Sequence, residues 1–199
     1  MKFKTVVGID EVGRGPIAGP VAVCSLCLQN NFNIRNFKNF RDSKKLSHVQ
    51  RLKWLEKINF EKEKGNINYK VCFESNKIID KKGLTFAIKK ALNDSLKFLK
   101  INSNMCQILL DGGLRAPSEY KNQKTIIKGD EKELAIALAS IVAKVTRDEL
   151  MARLSNKYPG YGLEKHKGYG TSYHYKALKN KGISTIHRKS FLGRITKPK

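Results

Sequence analysis

Four carboxylates stand in three clusters at the ends of short apolar runs in this 199-residue chain: Asp10-Glu11 after the run 3–9, Asp111-Gly112-Gly113 after 107–110, and Gly129-Asp130 after 124–127. In an open α/β sheet, strands running the same way bring their carboxyl ends to one edge, where sites form. Only 17 residues are Asp or Glu against 40 Lys or Arg, so carboxylates gathered on one edge point to a divalent-metal site. Oxygen-only ligation suits Mg²⁺ or Mn²⁺. Plainer readings stand beside this one. Asp10 and Asp111 serve equally as ordinary loop residues, because Asp before Gly favours turns. Asp130 with Glu133 forms a capping-box pattern, and by pattern alone the cap is favoured. Asp148 competes with Asp130 as a fourth ligand, but 18 positions along one helix place it about 27 Å away. Both cannot serve a metal pair about 4 Å apart. If the fifth strand is parallel to the first and fourth, Asp130 stands at the active edge and Asp148 is a surface partner of Lys144. Asp130 is therefore chosen.

Three loops accompany the carboxylates. Gly13-Arg14-Gly15 is either a tight turn or a stretch whose bare backbone approaches a phosphate or sugar above the metals. Asp42-Ser43-Lys44-Lys45-Leu46 leads into a helix capped by Ser47, or its lysines grip phosphate. His166-Lys167-Gly168-Tyr169-Gly170-Thr171 joins basic and aromatic residues, the combination that holds a backbone while stacking on sugar or base, with a solvated loop as the alternative.

The elements that must position these residues follow from periodicity. Residues 3–9, 21–28 and 68–74 read as strands, 47–63 as a helix, 84–99 as an amphipathic helix with lysines outward, 107–111 and 124–127 as strands four and five, and 131–157 as one long helix. Leu134, Leu138, Ile141, Val145 and Ala152 trace one face of that helix. The Asn-rich stretch 30–39 reads as a loop. This order gives an α/β domain, one mixed sheet flanked by helices, with a C-terminal appendage. Hydrophobic residues make up 40% of the chain, enough for a real core, and no stretch reaches the roughly 18 apolar residues of a membrane span. A cytoplasmic protein is expected. Cys24, Cys27, Cys72 and Cys106 lack a zinc-ligand arrangement and read as buried thiols. A net charge of +23 implies a polyanionic partner, nucleic acid first, although 31 of the basic residues are lysine and compositional drift accounts for part of it.

Taken in order, Gly8-Ile9-Asp10-Glu11-Val12-Gly13-Arg14-Gly15-Pro16, Asp42-Ser43-Lys44-Lys45-Leu46, Leu110-Asp111-Gly112, Lys128-Gly129-Asp130, the stretch from Ala139 to Asp148, His166-Lys167-Gly168-Tyr169-Gly170-Thr171 and His187-Arg188-Lys189-Ser190-Phe191 resemble the successive motifs of bacterial type 2 ribonuclease H, ribonuclease HII. They span nearly the whole chain. The resemblance implies a ribonuclease H-like fold, a mixed five-stranded sheet flanked by helices with a C-terminal helical appendage. It divides the chain into a catalytic core (1–157) and a substrate-binding appendage packed on it (158–199). It implies cleavage of RNA in RNA/DNA hybrids and on the 5′ side of single ribonucleotides in duplex DNA. Carried over by motif, Asp10, Glu11, Asp111 and Asp130 are the catalytic, metal-binding carboxylates. Gly13, Arg14 and Gly15 would read the ribose 2′-hydroxyl, Tyr169 would stack on the neighbouring deoxyribose, and Ser43, Lys44 and Lys45 would contact phosphate. Departures fall at residues 135–139, which lack small hydroxyl residues common there, and at Phe191-Leu192-Gly193-Arg194, which replaces the usual Phe-Gly-Pro ending.

The implied mechanism uses two Mg²⁺ or Mn²⁺ ions sharing Asp10, with no nucleophilic side chain and no bond-breaking role for His48, His174 or His187; products carry a 3′-hydroxyl and a 5′-phosphate. A monomer is expected, and protein partners are not identified. Two rivals stand. A type 3 ribonuclease H shares the carboxylates but carries an extra N-terminal domain, whereas here the Asp10 motif begins almost at Met1. A non-catalytic basic nucleic-acid-binding protein explains the charge but not four carboxylates set against a polyanion.

Overall fold

The computed structural model describes residues 5–37 and 46–193. Five strands form one sheet: β1 (Thr5–Val12), β2 (Val21–Gln29), β3 (Ile67–Glu74), β4 (Cys106–Asp111) and β5 (Gln123–Ile126), in the order β3-β2-β1-β4-β5. The first three pair antiparallel, whereas β4 runs parallel to β1 and β5 parallel to β4. The sheet is therefore mixed, as expected. Asp10 and Glu11 do not end their strand: antiparallel pairing carries β1 on to Val12 opposite Ala22, after the parallel pairing with β4 stops at Ile9 opposite Leu110.

Helices cover both faces. α1 (His48–Glu63) opens on Ser47, whose hydroxyl accepts from the Gln50 amide while the Gln50 side chain accepts from the Ser47 amide. α2 (Asn76–Lys82) and α3 (Leu84–Leu99) lie on one face, where Ala87, Ile88, Ala91, Leu92 and Leu96 bury against Val7, Ile9, Val23 and Ile108. Burying each large aliphatic side chain contributes about 1.5–3 kcal/mol. The long helix expected over 131–157 is broken into α4 (Gly129–Lys132) and α5 (Leu134–Lys157), because Glu133 is extended at φ −123°, ψ 117°. α5 is not buried along one stripe only; residues 135–139 and 141–143 are all buried, since α5 lies against β1 and β2 and α1 packs beside it. Small residues permit this: a Cβ on Gly8 would lie 2.0 Å from the Ala135 carbonyl carbon.

The described part of the Asn-rich stretch, 30–37, contains a 3-10 turn, Ile34–Phe37, where Phe37 stacks on Trp54 at 5.7 Å. The remaining chain forms α6 (Leu163–His166), α7 (Ser172–Lys181) and a 3-10 turn at Lys189–Phe191. These pack on α5 through Met151, Tyr161, Leu163, Leu178 and Ile186, joined by Ile17 and Ala18 from the loop after β1. Cys24, Cys27 and Cys106 are buried free thiols, but Cys72 is only half-buried because its part of β3 lies at the sheet edge. Among the described residues no helix is long and apolar enough to cross a membrane.

Candidate active site

Register decides which acids meet. Ile9 pairs with Leu110, so Asp10 and Asp111 follow at the same level on neighbouring parallel strands. A cleft of about 320 Å³ opens there, lined by Asp10, Glu11, Asp111, Arg51, Ser140, Lys144 and Tyr169. Burial pushes the Asp10 carboxyl up to about 7, and the Glu11 and Asp111 carboxylates add to the rise. A hydrogen bond from the Ser140 hydroxyl and one from the Glu11 amide, 2.8 Å from Oδ1, act in the opposite sense. Glu11 is held through Oε1, which accepts from Arg14 Nη1 at 2.8 Å, while its Oε2 is buried without a hydrogen-bond partner.

Asp130 reaches the same edge by a different route. Asp111 Oδ1 accepts from the Gly129 amide at 2.7 Å, which fixes the start of α4 on the end of β4; Asp130 follows, 2% exposed. A Cβ on Gly129 would lie 2.5 Å from Ile136 Cδ1 and 3.3 Å from Asp111 Oδ1, so the junction is tightly packed. Asp130 does not line the cleft, and among the described residues no three His, Cys, Asp or Glu side chains are already gathered at metal-ligating spacing. The capping-box expectation fails: α5 takes Glu133 as its N-cap with no side-chain cap, because the Glu133 amide bonds to the Gly129 carbonyl and closes α4 as a separate turn. Asp148 pairs with Lys144 at 2.8 Å, one turn away on α5, as its spacing suggests, but it is buried rather than on the surface, because α5 is covered around most of its circumference. β5 is indeed parallel to β4, the condition on which Asp130 was preferred.

The loops 13–15 and 166–171 face each other. A Cβ on Gly15 would stand 3.6 Å from the Tyr169 ring, and Tyr169 is 41% exposed. Gly13 has φ +91°, and a Cβ there would lie 2.3 Å from Arg147 Nε, so its backbone is seated directly on a buried guanidinium. Backbone bonds from Ile17 and Ala18 to the Gly168 carbonyl, at 2.9 and 3.3 Å, fasten the two loops together. Ser43, Lys44 and Lys45 lie outside the described residues. Sequence reading missed Arg51, Ser140 and Lys144 as cleft residues. They come from α1 and α5, and only Ser140 and Lys144 fell inside a quoted motif. Arg51 Nε is buried without a partner, a feature that spacing cannot reveal.

The sequence model of ribonuclease HII matches residues 7–193. The ribonuclease HII of Fusobacterium nucleatum is 42% identical over 200 residues, covering 98% of this chain and 89% of that one. The solved ribonuclease H2 from Pyrococcus horikoshii OT3 superposes with a TM-score of 0.68 at 25% identity, covering 98% of this chain and all of that one. Bst-RNase HIII in complex with Mn²⁺ shares the fold with a TM-score of 0.66 at 18% identity, covering 98% of this chain and 71% of that one.

Proposed function

This chain belongs to the ribonuclease HII family, and from that premise we propose that it cleaves RNA in RNA/DNA hybrids and duplex DNA on the 5′ side of single ribonucleotides, leaving a 3′-hydroxyl and a 5′-phosphate. It is a ribonuclease H, an endonucleolytic hydrolase. Asp10, Glu11, Asp111 and Asp130 would hold divalent cations, Mg²⁺ or Mn²⁺. Glu11 Oε2 carries this reading: a carboxylate oxygen buried at the cleft without a hydrogen-bond donor is an acceptor in need of a cation, and the Asp10 and Asp111 carboxylates beside it offer hard oxygens. The Mn²⁺ bound by the fold neighbour supports it further.

When bound, such ions lower the pKa of a water and neutralise charge on a departing oxygen. The chain's own residues do the rest. Arg14 holds Glu11 by one oxygen and leaves the other free; the Gly129 amide does the same for Asp111. Gly13, Arg14 and Gly15 bring backbone donors to the 2′-hydroxyl, and Tyr169 offers its face to the next sugar. The segment 158–193 forms the wall from which Tyr169 projects, and Ser43, Lys44 and Lys45 are assigned to phosphate. The test is an end-labelled duplex bearing one ribonucleotide, incubated with Mg²⁺, Mn²⁺ or EDTA and resolved at single-nucleotide length. A single product ending 5′ of the ribonucleotide, extendable by a polymerase and absent in EDTA, is expected. Cleavage that persists in EDTA, or none with either metal, contradicts the reading.

A further inference from the structure

Arg188 lies in none of the cleft's walls, yet it is fully buried, and all three hydrogen bonds from its guanidinium go to main-chain carbonyls of the loop after β1. Nη2 donates to Gly13 at 2.7 Å, Nη1 to Arg14 at 3.0 Å and Nε to Gly19 at 2.9 Å. Its own amide donates to Ile17 at 2.8 Å. Because a trans peptide points its C=O and the next N–H in opposite directions, drawing the Gly13 and Arg14 carbonyls inward turns the Arg14 and Gly15 amides outward. Neither amide meets a protein acceptor among the described residues. Two adjacent outward N–H groups are what a hydroxyl oxygen can use.

The arrangement is dear for stability alone. Arg147 is buried alongside, Arg188 is pushed down to about 9 by burial and by that second guanidinium, and no described ion pair includes either one. Burying cations without a carboxylate is unfavourable unless their donors are used. The segment is also anchored from outside. Asp80 accepts the Lys189 and Ser190 amides, each at 3.0 Å, and Asn76 donates to the Thr185 and His187 carbonyls, so α2 fixes the backbone from which Arg188 reaches inward.

We propose that Arg188 is a positioning residue for ribose selectivity: its guanidinium sets the direction in which the Arg14 and Gly15 amides face. This rests on the reading of Gly13-Arg14-Gly15 as the hydroxyl sensor. A planar fork spans three carbonyls; a lysine ammonium, a single point charge, cannot hold all three at once.

The experiment is equilibrium binding in EDTA of two fluorescent duplexes of one sequence, one all DNA and one with a single ribonucleotide, to the wild type and to Arg188→Lys, with urea midpoints alongside. Wild type should prefer the ribonucleotide duplex by about tenfold, the value of one net hydrogen bond. In Arg188→Lys that preference should fall to within about twofold while affinity for the all-DNA duplex is kept. If both affinities fall together with the preference intact, or if nothing changes, Arg188 is merely structural and the inference is overturned. No preference in wild type would instead defeat the sensor reading itself, and this inference with it. Should Arg188→Lys not fold, Asp80→Ala takes its place: a reduced preference supports the role, and an unchanged one overturns it.

Discussion

Asp10 sits buried between two other carboxylates, which makes its proton an energetic quantity that can be measured apart from catalysis. Its carboxyl is raised from 3.8 to about 7, so the folded state holds a proton that the unfolded chain has already released. Metal-free stability therefore falls as pH rises from about 4 to about 7, and the penalty is complete above that range. Replacing the charge by an amide of the same shape removes the penalty. Asp10→Asn should be more stable than wild type in EDTA at pH 8, on the order of 2–4 kcal/mol by urea denaturation, with the gain shrinking towards pH 4. A gain independent of pH would mean that the ionised carboxylate is not the source. That Asp10, Glu11 and Asp111 could be picked from the sequence follows from their place at the ends of apolar runs. Arg51 could not, because it reaches the cleft by the rotation of α1 about its axis, which no local spacing records.

Separate elements position the loops 13–15 and 166–171. β1 runs straight into Gly13-Arg14-Gly15, whereas Tyr169 projects from the turn between α6 and α7, and the Gly168 carbonyl joins the two. A Cβ at residue 15 would fill the gap before the Tyr169 ring. Gly15→Ala should therefore slow cleavage of every ribonucleotide-containing substrate, while Tyr169→Ala should slow cleavage at a single embedded ribonucleotide more than in a continuous hybrid. Initial rates on both substrates give the ratio; equal losses would reduce Tyr169 to a general duplex contact. The strands and the two helices 48–63 and 84–99 were legible from periodicity and capping residues. The break at Glu133 was not, because Asp130 with Glu133 imitates a cap, whereas the turn closes through the Glu133 amide on the Gly129 carbonyl. Nor was the order within 158–193, where α6 and α7 are short and are held by contacts such as His174 Nε2 to His187 Nε2 at 3.1 Å, between residues 13 apart.

At the scale of the whole molecule, charge and the carboxylate edge oppose each other. A net charge of +23 draws a polyanion to a cleft that presents three carboxylates, so the basic surface must supply most of the affinity. If about six lysines and arginines contact phosphate, duplex affinity should drop about 10³-fold between 50 and 200 mM salt. A nearly flat dependence would make most of the charge idle surface. The proposed site lies at the carboxyl ends of the parallel strands and includes Asp130 but not Asp148. Single-turnover cleavage of a duplex with one ribonucleotide by Asp130→Asn and by Asp148→Asn tests it most directly. Asp130→Asn should lose more than about 100-fold, beyond what partners that only orient a ligand contribute, with duplex binding retained. Asp148→Asn keeps the side chain's volume and an oxygen that can still accept from Lys144, so it should stay within a few-fold of wild type. Near-normal cleavage by Asp130→Asn together with a loss in Asp148→Asn would overturn the assignment of Asp130 to the site.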